Sequence, residues 1–269
     1  MVVKTNYLYH NKIDGTAARA GDNHAVPLIG LLNLLLPSVC PLCLTSSGPE
    51  LCVACRDDLP ELIRPCPDCG MPRPPGRHDE HCYHCAGDGL PHLANVTVRW
   101  AYAEAMVRLV GNAKAAGRPA AVRICATLMP VLDIERPAVI VPIPPSPGRR
   151  PGPHLGTALA RAVAKQTRQP MLELLTTTRL ADEQHQLTAA QRVRNVAGLF
   201  RTTQADMPPY VVLIDDLLTS GATASAAARA LREAGVKRVE LAVLARTLKN
   251  TAASALNHHS QPLGAISTV

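Results

Sequence analysis

The sequence Tyr210-Val-Val-Leu-Ile-Asp-Asp-Leu-Leu-Thr-Ser-Gly-Ala-Thr223 decides the fold prediction for this chain. Its first part, Tyr210 to Ile214, is a β-branched and aliphatic run typical of a strand buried on both faces of a parallel sheet. Asp215 and Asp216 follow at the predicted end of that strand, which is where open α/β sheets bind ligands. A turn with hydroxyl groups and a glycine then begins a helix, and the free N–H groups of a helix start favour an anion.

Two carboxylates beside an anion-binding turn suit a ligand that carries both hydroxyl groups and phosphate, as a ribose phosphate does. The carboxylates would accept hydrogen bonds from the ribose diol, and the turn would hold the 5′-phosphate. The pattern resembles the phosphoribosyl pyrophosphate (PRPP) motif of type I phosphoribosyltransferases: four apolar residues, two acids, two apolar residues, Thr-Thr/Ser-Gly and a closing Thr. The alternative is an ordinary strand followed by an Asp pair that forms a turn or caps a helix, which explains fewer of these positions.

Composition and charge are compatible with a phosphorylated ligand. The 269 residues can form one large domain or two modest ones, and the core must be aliphatic because 47% of residues are hydrophobic but only 3% are aromatic. The net charge of +7 favours phosphorylated ligands or nucleic acid as partners. Nine Arg or Lys and three acids lie between residues 140 and 201, just before the acidic motif. A solvated basic face is the ordinary explanation of such an excess, and only its placement suggests a pyrophosphate site.

No segment of the sequence has the length of a transmembrane helix. The apolar run from Leu28 to Leu36 is interrupted by Gly30 and Asn33 and lacks the flanks of a secretory signal. We predict that it forms a short helix docked on the protein or on a partner, within a poorly ordered leader of residues 1–35. Residues 249–269 are predicted to be a disordered tail. These features predict a cytoplasmic protein.

Eight of the nine cysteines form four Cys-x-x-Cys pairs. Each pair aims two thiolates at one point and two pairs complete a tetrahedral site, so four pairs predict two structural Zn²⁺ ions. Disulfides are a less suitable explanation than zinc because the predicted compartment is reducing. An iron–sulfur cluster is also less suitable, because eight cysteines arranged evenly in four Cys-x-x-Cys pairs are more typical of zinc sites. Two consecutive pairs can share one zinc ion with only short loops between them, so we prefer this arrangement. The alternatives are cross-bracing of the pairs, or a ligand from His78, His81 or His84 in place of a thiolate. The predicted ligands are Cys40, Cys43, Cys52 and Cys55 for one ion and Cys66, Cys69, Cys82 and Cys85 for the other.

The composition changes near residue 90, where Cys, Pro and Gly give way to aliphatic and Ala-rich segments. We therefore predict a zinc-binding domain at residues 36–90 and an α/β domain at residues 91–248. Helices are predicted at 103–116, 120–132, 155–166, 188–196 and 222–233, and strands at 138–141, 171–175, 210–214 and 238–244. Because strands alternate with helices, the sheet should be parallel with right-handed connections.

Further motifs accompany the cysteine pairs and the acidic strand. They are a Lys-x-x-Gly helix end at Lys114, Val-Pro-Ile-Pro beginning at Val141, and Gln184-x-x-Leu-x-x-x-x-Arg192-x-x-Asn195-x-x-x-x-Phe. Together these motifs resemble the ComF/GntX family over residues 35–247. Proteins of this family combine an N-terminal double zinc ribbon with a type I phosphoribosyltransferase domain, and they are linked to DNA uptake or utilisation.

The resemblance implies a role for each matching residue. Asp215 and Asp216 would be the catalytic pair that holds the ribose, and Mg²⁺ would bind together with PRPP. The 5′-phosphate would lie against Thr219, Ser220, Gly221, Ala222 and Thr223. The other implied PRPP-binding residues are Lys114, the pair Arg149 and Arg150 near the pyrophosphate, and Gln184, Arg192 and Asn195 in a mobile active-site segment.

One segment departs from the family pattern. The family usually carries Arg-Gly-Phe-Asn-Gln after Val-Pro-Ile-Pro, whereas this chain has Pro151-Gly-Pro-His-Leu155. Arginine binds phosphate bidentately, but proline offers neither charge nor a donor. Either the pyrophosphate site and catalysis are weakened, or the loop is inert and Arg150 and His154 serve in place of the missing side chains.

Two functions of different classes follow. The first is a phosphoribosyltransferase that uses PRPP and Mg²⁺, with an acceptor that the sequence does not identify. The second is a non-enzymatic module whose sheet senses PRPP or a nucleotide and whose ribbons bind single-stranded DNA, RNA or a DNA-uptake protein. The basic charge favours nucleic acid, whereas the scarcity of aromatic residues disfavours stacking on bases.

Overall fold

The computed structural model describes residues 39–45, 50–73, 82, 84–85, 89–115, 118–145, 154–178 and 198–248, all of which belong to one compact unit. The predicted leader, tail and helix at 188–196 lie outside these residues. In chain order the helices and strands are α1 (Val53–Asp57), β1 (Val96–Ala101), α2 (Glu104–Lys114), α3 (Pro119–Thr127), β2 (Val139–Pro142), α4 (Leu155–Thr167), β3 (Leu175–Thr177), β4 (Phe200–Thr202), β5 (Tyr210–Leu218), α5 (Ala222–Glu233) and β6 (Arg238–Arg246).

The central sheet is parallel, as predicted, with the strand order β1-β6-β5-β2. The motif strand β5 is longer than predicted and continues to Leu218. It does so because β6 keeps pairing with it as far as Arg246, beyond the end of β2 at Pro142. The prediction that Asp215 and Asp216 follow the strand is therefore wrong, since both lie within it.

Alternate residues of β5 face two different apolar layers. Val212 and Ile214 pack with α2, α3 and α4, whereas Val211 and Leu213 pack with α5. The two layers arise because successive side chains of a strand point to opposite faces of the sheet. Helix α5 buries only small residues and one leucine, which are Ala224, Ala227, Ala228 and Leu231.

Other boundaries differ from the predictions. Helix α3 ends at Thr127 and not at residue 132, because Pro130 lacks the N–H that a continuing helix requires. The strand predicted at 171–175 is reduced to one bridge between Met171 and Ile140. The regular strand there is β3, which pairs antiparallel with β4. The pairing partner of β3 was not predicted, because β4 is only three residues long and includes a charged side chain.

The cysteine-rich segment packs directly on the α/β core. Cys40 and Cys55 belong to the same apolar cluster as Met106 of α2. Backbone hydrogen bonds also follow the edge strand β1: Ala101 N–H donates to Pro60 O (2.8 Å), and Val96 N–H donates to the next part of the segment. The segment therefore covers a sheet edge that would otherwise expose unpaired backbone groups. Within the described residues, no helix is long and apolar enough to cross a bilayer.

Candidate functional site

The cysteines form two four-thiol clusters. In each cluster all four Sγ atoms lie within 4.8 Å of one another. The Sγ–Sγ distance is 3.7 Å for Cys43–Cys52 in the first cluster, and in the second cluster such distances range from 3.2 Å (Cys69–Cys82) to 3.9 Å (Cys66–Cys85). A tetrahedral Zn²⁺ ion with Zn–S bonds of about 2.3 Å places its sulfurs about 3.8 Å apart, so both clusters fit zinc. The first cluster consists of Cys40, Cys43, Cys52 and Cys55, and the second consists of Cys66, Cys69, Cys82 and Cys85.

Each cluster thus consists of two consecutive Cys-x-x-Cys pairs, which is the grouping predicted for sequential sharing. Of the candidate histidines only His84 is described, and it belongs to neither cluster. Burial raises the pKa of Cys55 and of Cys69 above that of an ordinary thiol. A divalent cation reverses this effect because it binds the thiolate. A Zn²⁺ ion between the four sulfurs of a cluster would keep them ionised at such short distances.

Asp216 lies on the face of β5 that packs against α2. Its side chain is buried and forms an ion pair with the Nζ of Lys114, the last residue of that helix. The structure therefore brings together two residues that the sequence predicted to act in one site. The lysine offsets the cost of burying a carboxylate in an apolar layer.

Asp215 lies on the opposite face of β5 and points toward the turn. Together with Thr219, Gly221 and Thr223 it lines a small cavity of about 40 Å³. Its Oδ1 accepts a hydrogen bond from the N–H of Asp216 (2.8 Å). Burial and, second, the negative charge of Asp216 raise the pKa of Asp215 to about 8. A carboxyl group with such a pKa exchanges its proton near neutral pH, as groups in functional sites often do.

The turn after β5 contains a left-handed glycine directly before a helix. Gly221 has φ of +83°, which favours glycine, and α5 begins at the next residue. The side chain of Ser220 accepts a hydrogen bond from the N–H of Ala222 (3.3 Å). A second cavity of about 370 Å³ adjoins the turn and is lined by Ser220, Gly221 and Ala222 together with Leu90 and Phe200.

Two residues that contact the turn were missed in the sequence. Leu90 packs against Gly221 so closely that a Cβ on the glycine would lie 2.6 Å from Leu90 Cδ2. Arg246 is buried, and its guanidinium donates hydrogen bonds to the main-chain carbonyls of Cys69, Leu218 and Thr219. An arginine directly after the apolar run from Leu241 to Ala245 was the available signal for Arg246.

The remaining predicted site residues cannot be placed together with these. Arg149, Arg150, Gln184, Arg192 and Asn195 all lie outside the described residues. The same holds for residues 151–153 of the segment that departs from the family pattern. His154 is described and precedes α4, and a Cβ on Gly156 in the first turn of α4 would lie 3.6 Å from Asp215 Oδ1. The beginning of α4 therefore lies close to Asp215.

Comparisons with known proteins agree with both halves of this architecture. The chain matches the family model of the phosphoribosyl transferase domain over residues 159–259 and that of the double zinc ribbon domain over residues 31–86. It is 28% identical to the DNA utilization protein YhgH of Salmonella typhi and 29% identical to that of Escherichia coli (strain K12). Each of these alignments covers 80% of this chain and 100% of the relative.

The chain therefore combines a double zinc ribbon with a phosphoribosyl transferase domain and is homologous to the DNA utilization protein YhgH, as the resemblance to the ComF/GntX family implied. The resemblance seen in the sequence is thus confirmed, as is the combination of a double zinc ribbon with a parallel-sheet phosphoribosyltransferase-like domain. Among solved structures, the allosteric regulatory enzyme of purine biosynthesis matches with a TM-score of 0.29 and 22% identity, over 41% of this chain and 22% of that chain. This last likeness is too low to carry an argument.

Proposed function

We propose that this protein binds PRPP with Mg²⁺ at the carboxyl end of β5 and transfers its phosphoribosyl group to a nucleophile. The observation that carries the proposal is that Asp215 shares one cavity with Thr219 and Thr223 at the start of α5. A carboxylate accepts hydrogen bonds from a ribose diol, whereas hydroxyl and N–H groups donate to a phosphate. The two requirements of a ribose phosphate therefore meet in one place.

In the proposed reaction, the bond between C1 of the ribose and the pyrophosphate oxygen breaks, and pyrophosphate leaves with the bonding electrons. The acceptor supplies an electron pair to C1 and gives up a proton. Asp215 fixes the ribose, and its negative charge favours the cation that develops at C1, so positioning and electrostatics supply the acceleration. Mg²⁺ would be held by carboxylate and phosphate oxygens and, when bound, offsets the charge of the leaving pyrophosphate.

Lys114 and Asp216 have a supporting role in this proposal. Their ion pair fixes the carboxyl end of β5 against α2 and neutralises one of two neighbouring carboxylates. Asp215 can then lose its proton when a cationic ligand arrives. The residues that the family resemblance adds to the same site are Arg149 and Arg150 near the pyrophosphate, and Gln184, Arg192 and Asn195 in the segment that the resemblance assigns to the active site.

Calorimetric titration with PRPP tests this proposal. Wild-type protein should bind PRPP only in the presence of Mg²⁺, and the double variant Asp215→Asn/Asp216→Asn should show no binding. Asp133→Asn serves as a matched control, because that exposed carboxylate lines a different cavity together with Tyr210 and Arg238. Unchanged binding in the double variant would show that the ribose site lies elsewhere.

The phosphate half of the site has its own test. Thr223→Val keeps the shape of the side chain but removes the hydroxyl, whereas Thr223→Ser keeps the hydroxyl. The valine variant should bind Mg²⁺–PRPP about 10-fold more weakly, corresponding to the loss of a charge-assisted hydrogen bond, and the serine variant should bind like wild type. Equal weakening in both variants would assign the threonine a packing role alone.

A second candidate is a non-enzymatic PRPP- or nucleotide-sensing module that acts in DNA uptake or utilisation and binds nucleic acid or a protein partner. Two observations favour it: the segment Pro151–Leu155 lacks the arginine of the family pattern, and the relatives are named DNA utilization proteins. Pro151→Arg separates the candidates. If the replaced loop limits catalysis, this variant should release pyrophosphate faster than wild type at equal PRPP affinity. Binding without any release in either protein would favour the sensing module.

A further inference from the structure

Arg246 connects the second cysteine cluster to the turn after β5. It is the last residue of β6, only 6% exposed, and it lies between two parts of the chain that are far apart in sequence. Its Nε donates to Cys69 O (3.1 Å), while Nη1 donates to Leu218 O (3.0 Å) and to Thr219 O. One planar group therefore joins a zinc-binding knuckle to the first residues of the proposed phosphate site.

The position of this guanidinium is fixed by the sheet. The main-chain carbonyl of Arg246 accepts a hydrogen bond from Tyr102 N–H (2.8 Å), and Thr247 N–H donates to Leu218 O (2.9 Å). The side-chain stem also passes Gly70, where a Cβ would lie 3.5 Å from Arg246 Cδ. The knuckle therefore lies against a side chain that has little freedom to move.

Leu90 forms a second connection between the same two regions. Its N–H donates to Asp68 O (3.0 Å), within the knuckle that begins at Cys66. Its side chain contacts Gly221, where even an added methyl group would clash at 2.6 Å. The Leu90 side chain is therefore in close contact with Gly221, the residue of the turn that has φ of +83°.

We propose that Arg246 is a positioning residue through which the second cysteine cluster sets the conformation of the phosphate turn. Metal binding at that cluster and phosphate binding at the turn are then thermodynamically linked, and the linkage is reciprocal. The part that concerns phosphate rests on the proposed function, whereas the part that concerns the conformation of the turn does not. The first cluster packs instead on α2, where Asn112 Nδ2 donates to Pro41 O (3.0 Å), and it is the internal control.

Arginine suits this position because its donors point in several directions from one plane. Lysine keeps the charge but has a single nitrogen, which cannot reach Cys69 O on one side and the two carbonyls of the turn on the other. Arg246→Lys is therefore the informative variant, because it breaks one connection without removing the cation. Arg238→Lys is the matched control, since Arg238 begins the same strand and pairs with Glu240 at the opposite end of that strand from Arg246.

Hydrogen–deuterium exchange of the full-length zinc-loaded protein tests the positioning role without any ligand. In Arg246→Lys, the amides of residues 219–225 should exchange at least 10-fold faster than in wild type, while amides of β2 and α4 stay unchanged and zinc stays at two ions per chain. Arg238→Lys should match wild type throughout. Leu90→Ala should accelerate the same amides as Arg246→Lys and is the second variant if the latter does not fold. If the turn amides of Arg246→Lys exchange as slowly as those of the wild type, the proposal is overturned. The same holds for Leu90→Ala if that variant has to replace Arg246→Lys.

Zinc release tests the linkage to phosphate. The rate of transfer of zinc to a colorimetric chelator is measured with and without Mg²⁺–PRPP in the variant Cys43→Ser, which weakens the first cluster only. PRPP should slow release from the second cluster several-fold, and this protection should be lost when Arg246→Lys is added. If calorimetry shows no PRPP binding by wild type, the proposed function fails, and hydrogen exchange alone decides the role of Arg246. If PRPP binds but release is unaffected, the linkage is refuted.

Discussion

The two faces of β5 give neighbouring aspartates opposite environments. On the first face, Asp216 is buried against α2 and forms an ion pair with Lys114. On the second face, Asp215 lines a cavity with the hydroxyl-bearing turn, and burial together with the charge of Asp216 raises its pKa to about 8. Adjacent strand residues point to opposite sides of a sheet. The charge of Asp216 is therefore compensated by a lysine, whereas Asp215 can exchange its proton near neutral pH.

The two zinc-binding clusters are also associated with different faces of β5. The first cluster contributes Cys40 and Cys55 to the apolar layer on the Asp216 face. The second cluster reaches the turn on the Asp215 face through Arg246 and Leu90. Each half of the ribbon therefore supports a different face of β5. Substitutions on the two faces should therefore have effects of different kind and sign.

The largest expected effect comes from removing a metal ligand. Cys55→Ser and Cys69→Ser should each reduce the zinc content from two ions to one and lower Tm by more than 10 °C, because a structural zinc ion contributes on the order of 10 kcal/mol. The measurements are elemental analysis and thermal unfolding. Cys125→Ala is the control, since this buried cysteine lies outside both clusters and the variant should retain both ions. Loss of zinc in that control would contradict the assignment of ligands.

Breaking the ion pair on the first face should have the next largest effect. Lys114→Met leaves the buried Asp216 carboxylate without its cation and should lower the free energy of unfolding by about 2–4 kcal/mol, measured by urea denaturation at pH 7. The double variant Lys114→Met/Asp216→Leu removes both charges and should recover most of that loss. A double variant as unstable as the single one would mean that the methionine acts through packing and not through the unpaired charge.

On the second face a substitution should stabilise the protein. As pH rises from about 4, the unfolded state releases the proton of Asp215 first, because the pKa of this carboxyl group is raised to about 8 in the folded state. Folding stability is therefore lost between these pH values, and Asp215→Asn should avoid that loss. We expect a gain in the free energy of unfolding that grows between about pH 4 and pH 8 and is constant above pH 8, as measured by urea denaturation at a series of pH values. A gain that does not change with pH would show that titration of Asp215 is not its origin.

The smallest effect should come from an exposed ion pair on α5. Arg229 and Glu233 are 2.7 Å apart, but both side chains are largely exposed, at 49% and 62%. Glu233→Gln should therefore change the free energy of unfolding by less than about 0.5 kcal/mol. The difference between this loss and the loss in Lys114→Met, measured in the same urea experiment, shows how much burial increases the effect of breaking an ion pair. Equal losses in the two variants would remove the distinction drawn between the faces.

Most of the architecture could be predicted from local patterns. The strands and helices around Asp215, the boundaries of α5 and the grouping of the eight cysteines depend on residues close together in sequence. The end of β5 was predicted wrongly, because its length depends on β6 as a pairing partner. Strands β1 and β4 were not predicted. Strand β4 has only three residues, which carry too little pattern, and its pairing with β3 depends on distant residues.

The sequence by itself determined the residue types of the site: two acids, a turn of hydroxyl groups and glycine, and eight thiols in pairs. These follow from spacing, since a strand, a tight turn and a Cys-x-x-Cys knuckle are each specified within a few residues. Only the tertiary structure decided that Asp216 pairs with Lys114 while Asp215 faces the turn, and that Arg246 joins Cys69 to Leu218. Such contacts depend on how sheet, helices and ribbon pack together, and packing joins residues that no local pattern connects.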